Sequence, residues 1–228
     1  MIFFDMDGVV IDSEKLHLRA LGLTLEKNGI SFQNSILDGF VGRSDQSFFQ
    51  YVYENIDDRI DIEDFLKQKN AHFESLMSEI QFVDGFTDFM RIVKDAKIKT
   101  ALVTSSSKYT VQKVDKLLDF CRSFDIVITE EDTIKHKPHP DPYLLALERS
   151  VGDRKSTVII EDSINGILAG KAAECIVYGL TTSFDVVTLK NVGVDFVYDS
   201  YKELAASLLV SGNQLVNTSS GSDISNPA

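Results

Sequence analysis

The sequence predicts an α/β fold, a doubly wound parallel sheet interrupted once by a wholly helical insertion. Short apolar runs of strand character alternate with helical patterns, which is the arrangement that builds parallel βαβ units. One long stretch after the first run is helix-like throughout and holds no strand signal. Several of the runs end in carboxylates or hydroxyls, and in such sheets ligands bind in the crevice outside the carboxyl ends of the strands.

The first element is the apolar run Met1-Ile2-Phe3-Phe4, which delivers Asp5-Met6-Asp7-Gly8 to a sharp turn before Val9-Val10-Ile11-Asp12. Glycine at position 8 allows the chain to turn tightly there. After Ser13, Leu16, Ala20, Leu21, Leu23 and Leu25 recur at spacings near three and four, predicting a helix that ends at Asn28-Gly29. From there to Glu79 the pattern stays helical with short breaks, rich in Phe and Leu. The insertion is therefore read as 14–80.

Strand signals resume over 98–103 and end in Thr104-Ser105-Ser106-Ser107 before a helical pattern over 109–118. Hydroxyls and free N–H groups at a helix entrance suit an anion, and they also suit a plain helix cap. A strand over 124–128 follows. In Lys135-His136-Lys137-Pro138-His139-Pro140-Asp141-Pro142 the prolines force an extended entry into a helix beginning near Pro142. Lys137 can then serve as a point charge for phosphate or stand in solvent. The run 157–160 ends in Glu161-Asp162-Ser163, with Asn165-Gly166 opening the next helix, and further strands are read over 175–178 and 195–198. The polar stretch 211–228 reads as a disordered tail.

Carboxylate, hydroxyl, lysine, carboxylate, in that order and each beside a strand signal, is the inventory for a hard, oxygen-binding cation plus a phosphoryl group. Composition agrees with an enzyme of ordinary size. The chain has 228 residues, 43% hydrophobic and 25% charged, enough to bury a full core. Its net charge of −12 argues against nucleic acid, which needs a basic face. No apolar stretch reaches membrane-spanning length and no basic leader precedes the first strand, so a cytoplasmic protein without membrane contact is the expectation. Cys121 and Cys175 are too few for a disulfide framework and read as buried thiols.

Asp5-x-Asp7-Gly8-Val9-x-x-Asp12-Ser13, Thr104-Ser105-Ser106, Lys137-Pro138-x-Pro140-Asp141 and Glu161-Asp162-Ser163-x-x-Gly166 resemble the four motifs of the haloacid dehalogenase (HAD) superfamily. More narrowly, the chain resembles its β-phosphoglucomutase-like branch of sugar-phosphate phosphatases and mutases, from Met1 to about Leu209. That resemblance implies a Rossmann-like core of residues 1–13 and 81–210 and a small α-helical cap domain, 14–80, hinged near 13–17 and 81–85. It implies Asp5 as the nucleophile that forms an aspartyl-phosphate and Asp7 as the general acid and base. It further implies Mg²⁺ held by Asp5, the Asp7 backbone carbonyl and Asp162, with Glu161 close by or acting through water. Thr104, the backbone N–H of Ser105 and Lys137 would hold the phosphate. An acid at Asp7 argues against dehalogenation, which needs no leaving-group proton.

In the cap, Phe40-Val41-Gly42-Arg43-Ser44 resembles the substrate-contacting loop of relatives, which makes Gly42 and Arg43 candidate specificity residues. His17 stands where the mutases also carry a histidine. The mutases would place an arginine a few residues after that glycine and a lysine further on, for a second phosphate. Asp45 falls near the first position and Ser75 or its neighbours near the second. Mg²⁺-dependent hydrolysis of a small phosphate monoester, a sugar phosphate, is therefore the expectation, with a β-phosphoglucomutase-type mutase as the alternative. A non-catalytic phospho-ligand-binding module and a receiver-type signalling domain are the readings from other classes. Receivers are much shorter and have no helical insertion after the first acidic strand. The expected partner is a small-molecule phosphate ester, with a monomer as the default.

Overall fold

The structure, a computed structural model, describes residues 1–41 and 44–207. The tail read over 211–228 lies outside the described residues. Six parallel strands, β1 (Ile2–Phe4), β2 (Thr100–Val103), β3 (Ile126–Ile128), β4 (Val158–Glu161), β5 (Ile176–Leu180) and β6 (Phe196–Tyr198), form one sheet in the order β3-β2-β1-β4-β5-β6. The order reverses at β1, so β1 and β4 lie side by side at the centre and both end in acids, Asp5 directly after β1 and Glu161 at the end of β4. A doubly wound sheet places its binding crevice at that reversal.

Both faces are buried, as continuous apolar strands require. Ile2, Phe4, Leu102 and Ile160 point into one apolar cluster, where α5 (Phe86–Asp95), α6 (Lys108–Leu118) and the helical residues 201–207 cover them. Their neighbours Phe3, Ala101, Val103 and Ile159 point into the other, under α7 (Asp141–Ser150), α8 (Ile164–Ala172) and α9 (Val186–Val192).

The stretch after β1 is helical as expected: α1 (Glu14–Lys27), α2 (Asn34–Asp38), α3 (Asp45–Asn55) and α4 (Ile62–Leu76). These helices have an apolar cluster of their own, with Leu21, Leu25, Phe48, Phe49, Val52 and Phe65 at its heart. The two chain crossings that join them to the sheet are paired. Ile11 bridges Phe82 in antiparallel sense, the Asp12 N–H donates to the Gln81 carbonyl (2.9 Å), and the Val83 N–H donates to the Val10 carbonyl (3.0 Å).

Three strands, β2, β3 and β5, differ by two residues at one end from the sequence expectation, and local closure and pairing explain each. Ile98 donates its N–H back to Val93 and so finishes α5, with Lys97 left-handed beside it, and β2 starts at Thr100. Phe124 is held in a turn by the Cys121 carbonyl, which shortens β3. Cys175 closes α8 through the Gly170 carbonyl, while pairing with β4 carries β5 on to Leu180. Cys175 is buried, whereas Cys121 is only half-buried, and both are free thiols. Among the described residues no helix is long and apolar enough to cross a membrane.

Candidate active site

Asp5, Glu161 and Asp162 converge where β1 and β4 end, each buried, with one carboxylate oxygen of each within 4.8 Å of the others. The surrounding glycines explain the local sequence. Gly8 turns with φ of 71°, and a Cβ there would collide with the Asp162 carboxylate, so the first acidic turn can close onto the second only without a side chain. A Cβ at Gly166 would likewise run into the Glu161 carboxylate. The spacing Glu161-Asp162-Ser163-x-x-Gly166 is thus a steric requirement of the first turn of α8, which Ser163 caps through the Gly166 N–H (3.0 Å).

Lys137 enters from the proline-rich loop and is buried, its side chain 4% exposed. It donates to Asp5 Oδ1 (2.6 Å), Glu161 Oε1 (2.7 Å) and the Val103 carbonyl (2.9 Å). Burial disfavours its charge, but the carboxylates of Asp5 and Glu161 outweigh that and push its pKa above the ordinary lysine value. Burial, with help from the Glu161 and Asp7 charges, raises the Asp5 pKa to about 8 against the pull of Lys137. Asp162 is raised well above the carboxylate range, first by burial and then by Glu161 and Asp5.

Glu161 and Asp162 differ in their remaining capacity. Glu161 Oε1 accepts from Lys137 and Tyr143 (2.7 Å), and Oε2 accepts from the N–H groups of Asp162 (3.2 Å) and Ser163 (3.2 Å) and from the Ser163 hydroxyl (3.0 Å). Protein donors thus occupy its lone pairs, and Glu161 acts as a scaffold for the cluster. Asp162 accepts at Oδ2 from the Ser183 hydroxyl alone among the described residues, and Asp5 accepts only at Oδ1 among them.

The donor set is all hard oxygen, buried and short of positive charge. It fits a hard divalent cation, and Asp5 and Asp162 are the side chains with oxygens to spare.

Asp7 faces elsewhere. Its Oδ1 accepts from the Ser13 hydroxyl (2.6 Å) and its Oδ2 from the Ser106 hydroxyl (2.9 Å), so its carboxylate is aimed by one residue from each side of the site. Thr104 is buried and receives the Ser106 N–H at its hydroxyl (2.9 Å), while Ser105 is exposed on the turn. Asp5, Glu161, Asp162 and Lys137 thus meet at one place, and Ser106 links Asp7 with Thr104. Gly42 and Arg43, the proposed cap contacts, lie outside the described residues.

His17 is packed rather than free, stacked on Phe73 with ring centroids 4.0 Å apart and bonded through Nδ1 to the Lys69 ammonium (2.6 Å). In the helical segment the lysine that turns inward is Lys69, on α4 and earlier than the residues around Ser75. Its signal was present, since Phe65, Lys69 and Phe73 follow one another at helical spacing on a buried face. Sequence reasoning also passed over Tyr143 and Ser183, whose roles depend on sheet order, and Thr182, whose hydroxyl holds the Gly8 carbonyl (2.6 Å).

The profile of the haloacid dehalogenase-like hydrolases matches residues 2–180. A phosphorylated carbohydrates phosphatase of Thermotoga maritima is 27% identical over 95% of this chain and 96% of its own length. Validoxylamine A 7'-phosphate phosphatase of Streptomyces hygroscopicus subsp. limoneus is 26% identical over 84% of this chain and 90% of its own. Among solved structures, CbbY of Rhodobacter sphaeroides in complex with phosphate superposes with a TM-score of 0.68 at 26% identity, covering 89% of this chain and 95% of that one.

Proposed function

The chain belongs to the haloacid dehalogenase-like hydrolase family, and we propose that within it the chain is a Mg²⁺-dependent phosphatase that hydrolyses a sugar phosphate through an aspartyl-phosphate on Asp5. One observation carries this reading: a buried carboxylate, Asp5, is fixed at one oxygen by Lys137, and a second carboxylate, Asp7, stands two residues on, held at both oxygens by hydroxyls. The names of the relatives supply the substrate class, a phosphorylated carbohydrate.

Asp5 is the nucleophile. Its oxygen bonds to phosphorus as the bond from phosphorus to the leaving oxygen breaks, and Asp7 gives that oxygen a proton. Asp7 then takes a proton from water, whose oxygen attacks the same phosphorus, and the bond to Asp5 breaks to release phosphate. Ser13 and Ser106 keep the Asp7 carboxylate aimed through both halves. Lys137, the Thr104 hydroxyl and the N–H of Ser105 neutralise the non-bridging oxygens as charge shifts. When bound, Mg²⁺ at Asp5, Asp162 and the Asp7 carbonyl supplies positive charge that lets a carboxylate approach a phosphate dianion. Residues 14–80 act as the cap domain over the core, excluding water and choosing the ester.

The test is phosphate release from a panel of sugar phosphates, polyol phosphates and nucleotides with Mg²⁺, with Asp5→Asn and Asp7→Asn beside the wild type. Sustained turnover on sugar phosphates that falls at least about 10³-fold in both variants is expected. Equal release by the variants would remove both residues from the chemistry.

A further inference from the structure

Three consecutive hydroxyls in the loop after β5 take no part in the proposed chemistry, yet two of them grip the acidic turns. Thr181 donates through its hydroxyl to Asp199 Oδ1 (2.9 Å), just past β6, and through its N–H to the Tyr198 carbonyl (3.1 Å). At the far end of the loop Asp185 caps α9 by accepting the Thr188 N–H (2.7 Å). Thr182 and Ser183 are therefore carried on a loop anchored on both sides. Thr182 donates to the Gly8 carbonyl (2.6 Å) in the first acidic turn, and Ser183 donates to Asp162 Oδ2 in the second. The three residues are in close contact: a Cβ at Gly8 would overlap that same Oδ2 and stand 3.2 Å from Ser183 Oγ.

A serine hydroxyl has one proton to give. Giving it to Oδ2 leaves Asp162 with one oxygen, Oδ1, that has no protein donor among the described residues. A carboxylate tied down in this way serves a cation through a single oxygen. That suits Mg²⁺, which is small and demands near-octahedral coordination, and it handicaps Ca²⁺, which is larger, takes more oxygens and can draw both from one carboxylate. We propose that Ser183 is a positioning residue that selects the ion: by holding one oxygen of Asp162 it biases the cation site toward Mg²⁺ and against Ca²⁺. This deepens the proposed function and rests on its cation site.

Titration calorimetry of Mg²⁺ and of Ca²⁺ into the metal-free full chain compares wild type with Ser183→Ala, Ser183→Thr and Thr182→Val, after melting curves in EDTA show each variant folded. Ser183→Gly serves in place of the alanine variant if that does not fold. Ser183→Ala should weaken Mg²⁺ binding and move the ratio of the two affinities toward Ca²⁺ by about tenfold or more, because the freed Oδ2 becomes available to the larger ion. Ser183→Thr keeps a hydroxyl and should hold the ratio near that of the wild type. Thr182→Val, which loosens the loop without freeing Asp162, should leave the ratio unchanged. A ratio unmoved in Ser183→Ala, or moved as far by Ser183→Thr or Thr182→Val, overturns the role of Ser183 alone. A wild type that binds no Mg²⁺ overturns the cation site and this inference with it.

Discussion

Lys137→Met deletes one ammonium and keeps most of its apolar stem, which makes it a sharp probe of the electrostatics at the centre of the sheet. The lysine is bonded to Asp5 and Glu161 at 2.6 and 2.7 Å, all three side chains being almost fully buried. Removing one partner of a buried ion pair costs about 3–5 kcal/mol. At about 2–4 °C per kcal/mol for a chain of this size, the metal-free variant should melt about 6–20 °C lower. The loss should also grow with pH. Burial already raises Asp5 to about 8, and the charge of Lys137 is the main influence that holds it down. At low pH the carboxyls carry protons and the ammonium matters less. As pH rises through 8 the wild-type cluster ionises against a lysine that stays charged, whereas the folded variant must retain protons that its unfolded chain gives up. The gap then widens by at most about 1.4 kcal/mol per pH unit for each proton retained. Differential scanning calorimetry in EDTA near pH 6 and pH 8.5 measures it. A fall below about 2 °C at both pH values, or a gap that narrows as pH rises, would refute the reasoning.

Two further outcomes follow from the same cluster. Burial raises the pKa of both Asp5 and Asp162, so a cation bound there must displace protons. Added Mg²⁺ should therefore raise the melting temperature more near pH 8.5 than near pH 6, with proton release visible as a buffer-dependent heat in titration calorimetry; equal shifts at the two pH values would remove these acids from the metal site. Gly8→Ala and Gly29→Ala form a matched pair, since both positions have φ of 71°, but only at Gly8 does a Cβ meet the Asp162 carboxylate. Gly29→Ala should cost about 1–2 kcal/mol of backbone strain and leave Mg²⁺ affinity intact, while Gly8→Ala should weaken Mg²⁺ binding at least about tenfold by pushing Asp162 aside; similar affinities would contradict the steric account.

The residues legible in the sequence are those whose neighbours in the chain are also their neighbours in the site. Asp5, Asp7 and Gly8 share one turn, and Glu161, Asp162 and Gly166 share another, so the chemistry of each stretch could be read in place. Strand cores were legible for the same reason, because Ile159-Ile160 or Leu102-Val103 are apolar on both sides of the pleat. Strand ends were not, since they depend on left-handed turns at Lys97 and Glu174, residues that do not advertise that conformation as glycine does. Ser183 was invisible because only the placement of β5 beside β4 carries its loop to Asp162. Tyr143 reads as an ordinary apolar residue of α7 until the sheet brings Glu161 to its hydroxyl.

The charge balance at the centre argues that cation and phosphate bind cooperatively. Among the described residues four carboxylates, Asp5, Asp7, Glu161 and Asp162, share the site with the buried Lys137 ammonium, which pairs with Asp5 and Glu161, in a chain of net charge −12. Lys137 is committed to Asp5 and Glu161 and has little attraction left for an incoming dianion. A proton on Asp5 would relieve the crowding but would also remove the proposed nucleophile. A divalent cation held there would relieve it and keep Asp5 ionised, and it would free part of the lysine's field for phosphate. Cation and phosphate sites are then thermodynamically linked, each raising affinity for the other by the same factor. In that arrangement the negative charge of the site is what would couple the metal to the substrate: with fewer acids the site would hold phosphate without a cation, and without a competent nucleophile.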